Sequence, residues 1–190
     1  MPSVRQERDL ISQSRRKRTA KPLLPRVREP VACVLLALDP AATSGWGLFL
    51  RGKAVDRGLA KNAKERRAVV DQAQQLAEQE SLPLVVVAEG WSAGGWKSVK
   101  QLLGMGASWG RWAEQFEIAG VSRSRIVRVL TQDWRMVVLG GGGKAAALTY
   151  AERRWPLLGA GVTDDVAEAL CVGDWGLRAG EVAAVARRTR

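Results

Sequence analysis

Carboxylates recur at three places where a folded chain can gather them. Asp39 lies in LALDPAATSGWGLF, Glu89 in LVVVAEGW, and Asp164, Asp165 and Glu168 in TDDVAEALCVGDW. The first two each close a short run of strand-forming apolar residues, 34–38 and 84–87, and the third opens a helical pattern. Strand ends and helix starts on one side of a sheet can bring such distant groups together. Gathered carboxylates are costly unless they hold divalent cations, and oxygen ligands of this kind suit Mg2+ or Mn2+. Histidine is absent, which removes imidazole general-base catalysis and the usual zinc sites. The chain as a whole carries a formal net charge of +11. An acidic point on a basic protein implies a metal-dependent enzyme that grips a polyanion.

Positioning those acids needs a core, and 190 residues with 46% hydrophobic content suffice for one domain. No apolar run reaches the ~18 residues of a membrane span, and the polar, basic N-terminus has no secretory h-region. Cys33 and Cys171 lie in apolar stretches and form no CxxC pair, so they read as reduced core residues of a cytoplasmic protein. The charge is uneven. Residues 1–30 hold nine basic residues against three acidic ones, including the run Arg15, Arg16, Lys17 and Arg18. With prolines in its last third, this segment reads as a flexible phosphate-binding arm before a domain spanning 31–190, with a solvated tail as the plainer reading.

Apolar runs place buried strands at 32–38, 84–88 and 125–130. Arg51-Gly52 between two apolar segments reads as the turn of a hairpin, 45–50 and 53–58. Helical periodicity covers 62–80, 98–118, 144–154, 163–177 and 180–188, and Thr131 is expected to cap a short helix ending near 139. Gly104, Gly106 and Ala107 give the 98–118 helix a small-residue patch that another backbone could approach. Three antiparallel strands followed by alternating helices and strands make an α/β protein with a mixed five-stranded sheet and helices on both faces. That is the element order of the ribonuclease H-like fold.

The acidic segments also carry a family resemblance. LALDPAATSGWGLF resembles the first-strand motif of RuvC-type Holliday-junction resolvases, in which an Asp at a strand end precedes a small-residue turn and a second strand. VVVAEGW resembles that family's second acidic motif. DDVAEALCVGDW is similar to the third, an acidic pair three residues apart followed by Ala-Leu, which aligns Asp165 and Glu168. The family has Asp where this chain has Glu168. The resemblance spans about residues 32–177, and the basic arm lies outside it, which suggests a divergent, phage-type member acting in a bacterial or phage-infected cytoplasm.

The resemblance implies paired phosphodiester cleavage of four-way DNA junctions by a homodimer that uses two Mg2+ or Mn2+ ions per site. Asp39 would bridge the ions, Glu89 would hold one, and Asp165 and Glu168, on one helix face, the other. Asp164 points about 100° round the helix; it reads as favourable charge at the helix N-terminus after Thr163, with a metal role as the alternative. Gly140–Gly143 and Lys144 do not make a P-loop, because Val138 and Ala145 stand where that motif needs Gly and Ser/Thr. Lys144 instead reads as a phosphate grip at a helix N-terminus. Of eight tryptophans, Trp46, Trp112 and Trp155 fit core faces. Trp91, in the Gly-rich loop after Glu89, could stack on an unpaired base or pack the loop. The competing readings are a nuclease of the same fold acting on other branched DNA or RNA–DNA hybrids, and a non-enzymatic basic DNA-binding protein, which would not need the acids.

Overall fold

Three apolar runs form the middle and one edge of a twisted sheet. β1 spans Val34–Asp39, β4 spans Leu84–Gly90 and β5 spans Ile126–Leu130. The computed structural model describes residues 31–90 and 99–188. β2 (Ser44–Leu50) and β3 (Lys53–Ala60) form the hairpin, and Arg51 and Gly52 take φ of 47° and 82° at its turn. The order across the sheet is β3-β2-β1-β4-β5. β1, β2 and β3 run antiparallel, while β1, β4 and β5 are parallel. This is the α/β, ribonuclease H-like arrangement expected from the element order.

Because strand side chains alternate, each run feeds two cores. Leu36, Leu38, Val86 and Ala88 pack on one face with Trp46, Trp112 and Phe116. That layer is covered by α1 (Ala63–Gln79) and α2 (Val99–Ile118). Leu35, Ala37, Val85 and Val87 face the other way, onto Val166, Ala167 and Leu170. Those three belong to α6 (Asp164–Arg178), which packs across β1 and β2. Asp39 and Glu89 each lie two residues beyond a member of this second set, so the alternation carries both acids to the α6 face. In register, Leu38 pairs with Ala88, which sets Asp39 and Glu89 level at the ends of adjacent parallel strands.

α3 (Thr131–Leu139) follows β5 without a break, and α4 (Lys144–Arg154) follows the glycine run. A short α5 (Pro156–Gly159) was not foreseen, and α7 (Gly180–Arg188) ends the described chain. Thr163 caps α6 by accepting from the Val166 amide, as expected. Thr131 does not cap α3: Leu130 holds the cap position and no side chain bonds there. Trp46 and Trp112 are buried and Trp155 packs edge-on to Phe49 at 5.9 Å. Cys33 and Cys171 are buried and form no disulfide. No helix among the described residues is long and apolar enough to cross a membrane.

Candidate metal centre

Asp39 ends the central strand, and two elements brace the turn that follows it. From α1, Arg66 donates to the Ala42 carbonyl at 2.9 Å. From α2, the Trp112 indole donates to Ser44 Oγ at 3.0 Å, and that hydroxyl donates to the Ala41 carbonyl at 2.8 Å. On the opposite face, α6 approaches so closely that a Cβ on Gly45 would lie 2.0 Å from the Asp165 carbonyl oxygen. Gly45 is the register partner of Asp39. The missing side chain at 45 therefore lets the N-terminus of α6 settle over Asp39.

The result is a close acidic group. One carboxylate oxygen from each of Asp39, Asp165 and Glu168 lies within 4.8 Å of the other two. Burial raises the Asp39 carboxyl well above its ordinary value of 3.8, and Glu89, Glu168 and Asp165 push it the same way. Burial also raises Glu168, against the pull of Arg135. Among the described residues, none donates a hydrogen bond to the Asp39 carboxylate. A half-buried acid without a donor, set among other acids, is the environment a hard cation relieves. The donor set, all carboxylate oxygen, fits Mg2+ or Mn2+.

Glu89 lies beside this close group rather than within it, and its oxygens are already oriented. Thr131 Oγ1 donates to one at 2.5 Å and Trp134 Nε1 to the other at 2.9 Å. Arg135 pairs with Glu168, and its guanidinium rests over the Trp134 ring at 5.2 Å. Lys144 is the first residue of α4, where it was expected, but its ammonium turns to carboxylates. Nζ lies 2.7 Å from Asp164, 3.2 Å from Asp165 and 3.9 Å from Glu168. The Asp164 hydrogen bond leads in raising the lysine above its usual value, and the same bond holds Asp164 low. Asp164 is outside the close group, so its place is at the helix N-terminus and on Lys144.

As site residues, Thr131, Trp134 and Arg135 escaped the sequence reading, which took Thr131 only as a cap. Their spacing of three and four residues puts them on one face of a helix that starts where β5 ends. β5 is the third parallel strand, and its end lies at the same edge of the sheet as Asp39 and Glu89. Trp91 and the run Arg15, Arg16, Lys17 and Arg18 lie outside the described residues.

The raised acids predict a pH dependence. The folded protein holds the Asp39 and Glu168 protons more tightly than the unfolded chain, so deprotonating them costs folding stability. Asp164 works the other way, but a depressed carboxyl has delivered its contribution once pH exceeds the ordinary range. In EDTA, stability should therefore fall from about pH 5 upward, through the raised values. Thermal melts in EDTA check the sign, and a melting temperature that climbs across that window contradicts it.

No family model matches the chain, and no curated protein matches it by sequence. Solved structures do match. The Thermus thermophilus RuvC structure is 18% identical with a TM-score of 0.52, over 82% of this chain and 97% of that one. T. thermophilus RuvC in complex with Holliday junction substrate is 16% identical with a TM-score of 0.53, over 74% and 90%. The chain thus has the ribonuclease H-like fold of the RuvC structures.

Proposed function

We propose that this chain is a divalent-metal-dependent endonuclease that resolves four-way DNA junctions by paired phosphodiester cleavage. The observation that carries the reading is the close group of Asp39, Asp165 and Glu168 at the end of the central strand. Asp39, Glu89, Asp165 and Glu168 would hold two Mg2+ or Mn2+ ions. Such ions, when bound, supply an activated water and neutralise charge on the leaving oxygen. The protein's own groups do the rest. Lys144, half-exposed at the N-terminus of α4 and held here by Asp164 and Asp165, would turn to a backbone phosphate once cations take those carboxylates. Arg135 restrains Glu168. Trp91 stacks on a base left unpaired at the crossover.

Two chains are needed for paired cuts, and C2 symmetry supplies two sites. The exposed face of α2 supports a homodimer. Leu103 and Ile118 are 67% and 62% exposed, and among the described residues a Cβ on Gly104 or Gly106 would meet nothing within 4 Å. Those glycines are therefore not required by packing against the described residues. A sedimentation mass of one chain at micromolar concentration removes the dimer.

Nicking of matched junction, flap, duplex and RNA–DNA hybrid substrates, with Mg2+ and with EDTA, tests the function. Mg2+-dependent cuts confined to the junction support it. Preference for the hybrid or the flap selects the other nuclease reading, and binding without cleavage selects a non-enzymatic DNA-binding protein. The basic arm adds a separate expectation. Removing residues 1–28 should weaken binding to every DNA shape alike, and lower the log–log salt slope by about 0.9 for each phosphate the arm had neutralised. An unchanged slope means the arm does not touch DNA.

A further inference from the structure

We infer that Trp134 and Thr131 are positioning residues that fix Glu89 as a metal ligand. This rests on the metal-centre reading above and assigns new residues to it. Glu89 pairs in register with Val129, and β5 runs directly into α3, so the first turn of α3 lies beside the carboxylate. Thr131 and Trp134, three residues apart, present their donors on one face of that turn. Each takes a different Glu89 oxygen, at 2.5 Å and 2.9 Å. With both oxygens bonded, the carboxylate cannot rotate about its axis without breaking a bond. One acceptor site on each oxygen is left for a cation.

The chemistry of the donors matters as much as the geometry. Glu89 is 8% exposed and Trp134 fully buried, so an unbonded carboxylate here would be costly. A hydroxyl and an indole N–H satisfy it without neutralising it. Glu168 is handled differently: Arg135 and Lys144 bring positive charge to it. Glu89 is thus pointed and restrained by uncharged donors, which is what outer-sphere partners of a metal-binding carboxylate provide. Trp134 serves a second acid as well. Its ring face carries the Arg135 guanidinium, which holds Glu168. A single indole therefore sets Glu89 through its N–H and Glu168 through its face.

The test uses substitutions that leave the net charge unchanged. Mn2+ binding to the full chain would be measured by calorimetry, beside thermal melts in EDTA, for wild type, Trp134→Phe, Thr131→Val and Thr131→Ser. Trp134→Phe keeps an aromatic ring but loses the donor, and should weaken Mn2+ binding about 10- to 100-fold. Thr131→Val should weaken it in the same direction, while Thr131→Ser, which keeps the hydroxyl, should bind like wild type. Wild-type affinity in Trp134→Phe and Thr131→Val overturns the clamp and leaves the metal centre standing. No Mn2+ binding by wild type overturns both. If Trp134→Phe fails to fold, the comparison of Val with Ser at 131 decides: equal affinities overturn the proposal. A purely structural role would lower the melting temperature without changing the affinity of the folded protein.

Discussion

Asp39→Asn is expected to abolish cleavage, by about a thousandfold or more, while making the protein more stable in EDTA. The two effects share one cause. Burial and the charges of Glu89, Glu168 and Asp165 all oppose an ionised Asp39. Asparagine keeps the shape and removes the charge, so folding in EDTA no longer works against that repulsion. Cleavage loses the central ligand of the acidic group, and a thousandfold loss corresponds to about 4 kcal/mol of transition-state stabilisation. DNA binding should survive, because no positive charge is removed. Melts with EDTA and with Mn2+ should cross: the variant melts higher in EDTA and gains less from the ion. Near-normal cleavage by Asp39→Asn would end the metal-centre reading. Unchanged stability in EDTA would show that the acids are not strained by one another.

Gly45→Ala is expected to damage both the fold and the acidic site. The added methyl would sit 2.0 Å from the Asp165 carbonyl oxygen and 2.8 Å from the Val166 amide nitrogen. Both are backbone atoms, so no side chain can rotate away, and β2 and α6 must part. Overpacking of this kind costs about 1–3 kcal/mol and sometimes more. The upper part of that range fits a backbone clash and would lower the melting temperature by about 6–12 °C in a chain of this size. The site should suffer beyond the stability loss, because the displaced segment carries Asp165 and Glu168 away from Asp39. Gly104→Ala is the control. It adds a methyl that meets none of the described residues, should leave monomer stability unharmed, and gains up to about 1 kcal/mol of helix propensity. If Gly45→Ala melts and binds Mn2+ like wild type, the close approach of α6 to β2 does not set the site.

Much of this architecture is legible in local patterns. The runs ending at Asp39 and Glu89 are strands because they are short and continuously apolar, the second also β-branched, and those patterns place both ends within about a residue or two. Asp165 and Glu168 share a helix face because three residues nearly complete a turn. The glycines before Lys144 place it at a helix start. These are local properties: period, turn chemistry and capping act over a few residues, and the sequence carries them whole. Thr131 marks where that reach ends. Its place after a strand argues for a cap, but Leu130 holds that position, and one residue further on the Thr131 hydroxyl donates to a buried carboxylate on the neighbouring strand. Nothing near position 131 announces Glu89, which lies 42 residues away. The sequence by itself determined which residues are acids at strand ends and helix starts. Only the tertiary structure decided which donors turn Glu89, which cations meet Glu168, and how closely α6 settles on Gly45. Those depend on which strands lie side by side, a choice made by burying the whole sheet between two helical layers.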